Sequence, residues 1–207
     1  ITVRLGTTVE RIRIEQGTAC GVELADGTGL AATVVVSNAD AAHLYQNMVP
    51  RAEQSLATRL KLAQAHYSMG LFVLYFGTTR TYPQVAHHTI WMGDRYRELL
   101  DDIFHRQKLA EDFSLYVHRP TATDPSFAPE GCDSFYVLCP VPNLQGKVDW
   151  ATEGPRLRNR IVAALERTLL PDLRATITAE FFKTPVDFKD NYRSVHGAGF
   201  SVAPIFR

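Results

Sequence analysis

The spacing of apolar residues divides the chain into two regions. In the first forty residues the period is two. Ile12 and Ile14 alternate with Arg11, Arg13 and Glu15, as in a half-buried strand. Gln16-Gly17 offers a turn, and Cys20, Val22 and Leu24 alternate with Gly21 and Glu23 in a second strand. Asp26-Gly27 is a hairpin signal. Leu30 to Val36 reads as a third strand, and its Val34-Val35-Val36 run predicts burial on both faces. Ile1 to Leu5 also reads as a strand. The meander feeds a segment ending in Ser37-Asn38-Ala39-Asp40, small and polar residues of the kind α/β folds place beside ligands. Asp40 equally suits the N-cap of a helix over Ala41 to Tyr45.

After Pro50 helical and strand periods alternate. Arg51 to Lys61, with Leu56 and Leu60 four apart, predicts an amphipathic helix starting at Pro50. Tyr67 to Phe76 is apolar on both faces and predicts a strand covered on both sides, by protein or by an apolar ligand. His87 to Met92 is a short strand, and Asp94 can cap a helix carrying Tyr96, Leu99, Leu100 and Ile103. Phe113, Leu115 and Val117 alternate with polar neighbours. Pro120 to Gly131 is a loop, and Ser134 to Cys139 is a strand stopped by Pro140 and Pro142. Thr152 opens a helix with Leu157, Ile161, Leu165 and Leu169 on one stripe, ended by Pro171. Ile177 to Lys183 is the last strand. The whole reads as α/β (α+β), with a mixed, largely antiparallel sheet and flanking helices in the second region.

Composition narrows the classes. Lys+Arg and Asp+Glu both number 22 among 207 residues, so no global field draws the chain to nucleic acid. Three cysteines, none in a CxxC pair, argue against a disulfide framework and for a reducing compartment. No apolar run approaches the roughly 20 residues that span a bilayer. Ile1 is no initiator and Phe200 to Arg207 has no tail composition, so both ends read as cuts in something longer.

Local motifs carry little chemistry. Gly27-Thr28-Gly29-Leu30-Ala31-Ala32 matches a loose GxGxxA, but a strand follows where the dinucleotide fingerprint needs a helix. His87-His88 suggests a metal pair, yet adjacent strand residues point to opposite faces, and no metal is expected. Asp187, Asp190, Arg193 and His196 are polar enough for a site and equally compatible with a loop.

Longer stretches add a resemblance. Val9-Glu10-Arg11-Ile12, Gly21 to Gly27 and Val34 to Asp40 resemble the central part of the FAD domain of amine-oxidase-like flavoproteins. Tyr96 to Phe104, Ala110 to Tyr116, Ala128 to Leu138, Pro140-Val141-Pro142, Glu153-Gly154-Pro155, Thr184 to Phe188 and His196 to Val202 resemble bacterial-type phytoene desaturase. The resemblance implies an internal fragment of an FAD-dependent enzyme that dehydrogenates phytoene stepwise towards lycopene. It assigns 1–48 to the FAD-binding domain, 49–195 to a substrate domain associating with the inner membrane surface from the cytoplasmic side, and 196–207 to the return to the FAD domain. The family's N-terminal GxGxxG unit and its late glycine-rich segment do not occur in this sequence. The implied cofactor-side residues are Val9, Asn38 and Ala39. Leu71, Phe72, Leu74 and Phe76 are candidates to line a tunnel for an apolar C40 carotenoid, and no catalytic residue is assigned. Other readings are a related carotenoid oxidase or isomerase, or a non-catalytic module binding an apolar ligand or membrane.

Overall fold

In a computed structural model describing residues 1–203, the chain forms a small three-stranded meander and a five-stranded sheet backed by a long helix. Strands β1 (Val9–Glu15), β2 (Thr18–Leu24) and β3 (Gly29–Ala31) are antiparallel neighbours in that order. Gln16 and Gly17 both take positive φ, +50° and +73°, which is the backbone a tight two-residue hairpin requires. At the second hairpin the Asp26 carboxylate accepts from the Thr28 N–H at 2.9 Å. A strand follows the Gly27 glycines, as expected.

Two expected strands are corrected. Ile1 to Leu5 is exposed and unpaired, and the third strand stops at Ala31. Val34 and Val36 are 73% and 90% exposed. Among the described residues no strand lies beside 32–36, and β propensity without a partner leaves backbone groups unpaired. Asp40 does cap α1 (Ala41–His43), accepting from the His43 N–H at 2.8 Å, and the chain then makes one wide turn over Leu44–Met48.

Helix α2 (Leu56–Ala63) starts at Ser55, not Pro50. The Ser55 hydroxyl accepts from the Thr58 N–H at 3.0 Å, so a genuine cap wins over proline's fixed φ. Leu56 and Leu60 remain largely exposed. The five-stranded sheet runs β5 (His88–Trp91), β6 (Leu115–His118), β7 (Asp133–Val141), β4 (Gly70–Thr78), β8 (Ile177–Lys183), antiparallel throughout. Strand β7 runs through Pro140, which was expected to stop it. Pro140 lies beyond Leu138, the last β7 residue paired with β6, so its missing N–H falls on a free edge.

One sheet face holds the core. Phe72, Leu74 and Phe76 of β4 and Phe135, Val137, Cys139 and Val141 of β7 pack beneath α4 (Trp150–Thr168). Leu157, Ile161 and Leu165 on the lower stripe of α4 are fully buried. Each such side chain contributes about 1.5–3 kcal/mol relative to exposure. The helix begins at Trp150, with Asp149 as cap, two residues before the Thr152 expected. Helix α3 (Tyr96–Phe104) is not capped by Asp94 either. The Asp112 carboxylate reaches across and accepts from the Arg95 N–H at 2.8 Å, a long-range contact with no local signal. Short α5 (Leu173–Thr176) leads into β8, and α6 (Pro185–Tyr192) follows it.

The last segment folds back. Ala198 pairs with Gly70 and Val202 with Tyr67 at the head of β4. The stretch expected to return to the FAD domain thus touches both β4 and α6 up to Ala203; residues 204–207 of it lie outside those described.

Candidate functional site

The face of the sheet opposite α4 is only partly covered. Register places Leu71, Val73, Tyr75 and Gly77 of β4 there, beside Pro140, Leu138, Tyr136 and Ser134 of β7. At the Leu71 end the turn after α6 lies on top, and Gly199 approaches so closely that a Cβ there would sit 2.4 Å from Leu71 Cγ. Towards Tyr75 the cover ends. A groove of 480 Å³ opens there, lined by Tyr75, His118, Phe127, Tyr136 and Phe181 among others.

This groove is floored by a row of rings crossing all five strands. His88 pairs with His118, His118 with Tyr136, Tyr136 with Tyr75, and Tyr75 with Phe181. Successive centroids are 5.3, 4.9, 5.9 and 4.6 Å apart. Four strand intervals at about 4.8 Å give the row a length of about 19 Å. Burial, and then the hydrogen bond with Tyr116, push the Tyr136 phenol up to about 12. Its ring therefore stays neutral at physiological pH. The surface is long and mainly aromatic, with Glu180 the carboxylate at its edge, which suits an extended apolar ligand.

Asn38 and Ala39 line a second cleft, of 540 Å³, with Asp40, Ser194, Gly199 and Ser201. Two polar atoms in it, Asp40 Oδ2 and Ser201 Oγ, are buried without a hydrogen-bond partner. Such atoms normally find one, so the cleft is chemically suited to a polar ligand. Leu71 is buried under Gly199, which borders this cleft.

Of the residues expected at a site, the structure thus brings Asn38 and Ala39 together and sets Val9 apart, half-buried at the start of β1 opposite Leu24. Leu71 lies on the face opposite α4 but is 4% exposed beneath the turn after α6; Phe72 and Leu74 are in the core under α4, and Phe76, packed there as well, also borders the groove. Tyr75, Tyr136 and Phe181 line the groove and were not among the expected tunnel residues. Strand alternation alone separates Leu71, Val73 and Tyr75 from Phe72, Leu74 and Phe76; only the covered side needed the fold.

The late polar cluster is largely structural. The Asp187 carboxylate accepts from Thr184 N–H at 2.7 Å and Thr184 Oγ1 at 2.9 Å, closing a capping box on α6. Burial raises the Asp187 pKa, but those bonds and Lys183 outweigh it and hold the group below its ordinary range. Arg193 and His196 take left-handed backbone around the following turn, and His196 packs edge-on against Tyr67 at 4.8 Å.

The histidine expectation is corrected. Strand β5 begins at His88, so His87 sits in the bend before it and is free of strand alternation. The His87 and His88 rings approach to 4.3 Å, and His118 lies 4.6 Å from His87.

Comparison with known proteins fits this geometry. No family model matches the sequence. The chain is 48% identical over 98% of its length to the neurosporene-forming phytoene desaturase of Rhodobacter capsulatus, and 47% identical over 89% of its length to the lycopene-forming phytoene desaturase of Pantoea ananas. Both of these relatives are named phytoene desaturases. The chain spans about two fifths of their length, 40% and 38% respectively. A zeta-carotene-forming phytoene desaturase of Myxococcus xanthus is 36% identical over 97% of the chain and is spanned to 38%. Among solved structures, an oxidoreductase from Methanosarcina mazei shares the fold, with a TM-score of 0.51 at 15% identity over 86% of this chain and 37% of its own. The mixed α/β class expected from the sequence therefore holds.

Proposed function

We propose that this chain supplies the substrate-facing sheet, and one wall of the flavin-facing cleft, of an FAD-dependent phytoene desaturase. The observation that carries the reading is 48% identity along 98% of the chain to an enzyme of that name. The aromatic row supports it from the physical side. Phytoene is an uncharged chain that only shape and dispersion can hold, and a flat aromatic floor with a neutral phenol offers both.

The residues present fit part of a flavin nucleotide. Asp40 Oδ2 and Ser201 Oγ are free to bond hydroxyls, and Asn38 and Ala39 line the same wall. Phosphates would need a glycine-rich turn at a helix N-terminus, which is not among the described residues. When bound, FAD would supply the hydride acceptor. The chain's own residues would hold the polyene along Tyr136, Tyr75 and Phe181 and exclude water there. We assign no proton acceptor.

No described helix is long and apolar enough to cross a membrane. The proposed contact with the inner membrane surface rests on Tyr96, Leu100 and Phe104, an exposed i, i+4, i+8 stripe on α3. The division into residues 1–48, 49–195 and 196–207 is proposed on the same footing.

The gene carrying this sequence, expressed in a phytoene-accumulating host, should convert phytoene to coloured, more conjugated products. Unchanged phytoene would refute the desaturase reading. Oxygenated products would favour the second reading, which rests on 36% identity to a 4,4'-diapolycopene oxygenase of a Methylomonas species.

A further inference from the structure

His87, His88 and His118 come together at the β5 end of the aromatic row, of which His88 and His118 are members, beyond Tyr136, Tyr75 and Phe181. One nitrogen from each ring lies within 4.8 Å of the other two. His87 Nε2 and His118 Nε2 are 2.7 Å apart, so one donates a proton to the other. The remaining contacts orient the rings. His87 Nδ1 meets the Thr123 hydroxyl, and His88 Nδ1 lies 2.6 Å from the Tyr116 hydroxyl. Hydroxyls at both Nδ1 positions leave the Nε2 atom of His88, and that of His87 once it parts from His118, to bind, as outer partners do for metal-bound imidazoles.

We propose that His87, His88 and His118 form a binding site for a late first-row divalent cation of the zinc type. The ligand set decides the class. It is imidazole alone, which suits zinc, nickel or copper and offers nothing to magnesium or calcium. Tetrahedral bonds of about 2.0–2.1 Å require nitrogens about 3.3 Å apart. The 2.7 Å pair must therefore open slightly and His88 close in. His88 is exposed on the edge strand β5, so its ring can rotate. Binding displaces the proton shared between His87 and His118. His118 Nδ1, buried and without a partner, can carry the ring proton of the ligating tautomer. Three protein ligands leave a fourth position open towards the groove, on which His118 also borders.

The test is a titration of the purified, tag-free, metal-stripped chain with Co²⁺ followed by visible absorbance, and with Zn²⁺ by calorimetry. One metal per chain is expected, with the intense visible bands of tetrahedral cobalt. His88→Ala and His118→Ala should each lower affinity at least tenfold. Tyr116→Phe, which keeps every ligand but frees the His88 ring, should lower it by about 10-fold or more. His66→Ala, outside the cluster, should leave it unchanged. Because His88 is exposed, His88→Ala keeps the fold, and near-UV circular dichroism checks this. Absence of saturable binding at one metal per chain would overturn the proposal. So would an affinity that His88→Ala and His118→Ala leave intact.

Discussion

Asp133→Ala should be among the most damaging single substitutions in this chain, although Asp133 touches neither cleft wall nor aromatic row. Its carboxylate is 1% exposed at the first position of β7. It accepts from Tyr82 N–H at 2.7 Å and Thr121 Oγ1 at 2.5 Å, and pairs with Arg119 Nε at 3.0 Å. The Arg119 guanidinium in turn donates from Nη1 to the carbonyls of Tyr82 and Val85, at 2.8 and 2.6 Å. The node ties the Tyr82–Val85 turn and the loop after β6 to the end of the sheet. Removing one partner of a buried ion pair leaves the other uncompensated and costs about 3–5 kcal/mol. Whole domains are stable by only about 5–15 kcal/mol. Urea unfolding should show the midpoint fall by about a fifth or more with an unchanged slope. Replacing both partners, Arg119→Met with Asp133→Leu, should recover only part of the loss, because it removes the unpaired buried charge but leaves Tyr82 N–H, the Thr121 hydroxyl and the Tyr82 and Val85 carbonyls without partners. A loss below about 1 kcal/mol in Asp133→Ala would refute this account, since such a value belongs to an exposed, solvent-screened pair.

Other outcomes are expected from features already described. Ile161→Ala removes a fully buried side chain from α4 and should destabilise by about 2–5 kcal/mol in the same assay. Gly197→Ala should unseat the 195–201 turn, since φ is +61° and a Cβ would lie 2.1 Å from the Pro185 carbonyl oxygen; faster limited proteolysis there is the readout. Burial raises the Asp102 pKa, but Lys108 and Arg106 outweigh it and hold the group below its ordinary value. Its stabilisation is therefore present above the unfolded carboxylate pKa of about 3.9 and is lost as pH falls through the lower folded value. Acid unfolding of Asp102→Asn should lack that component. Leu100→Glu with Phe104→Glu should abolish co-sedimentation with anionic vesicles if the α3 stripe meets the membrane, while leaving near-UV circular dichroism unchanged.

The legible parts of the fold were those with local causes. The Gln16-Gly17 and Asp26-Gly27 turns, the Asp40 cap and the Leu157-Ile161-Leu165 stripe are each set by residues within a few positions. Ile177–Lys183 was expected as a strand and is one. The failures had distant causes. Asp112 caps α3 from outside it, Pro140 is tolerated because β6 has ended, and Val34-Val35-Val36 has no strand beside it among the described residues. Asn38 and Ala39, singled out for their small, polar context, do line the second cleft. Tyr136 and Phe181 were not legible, because only register sets them beside Tyr75. The histidines failed for a subtler reason. Alternation is a rule about residues within a strand, and His87 lies one residue outside.

Strand β4 carries two kinds of selection on one stretch of nine residues. Phe72, Leu74 and Phe76 answer to the packing of α4, so most changes there are removed as folding failures. Leu71 and Val73, 4% and 3% exposed, are covered by the chain itself, and of the three side chains on that face Tyr75 alone answers to whatever lies in the groove. If that is the polyene, neighbouring codons of one segment are separate evolutionary handles. Substrate range can then drift at Tyr75 without disturbing the scaffold fixed by the residues around it.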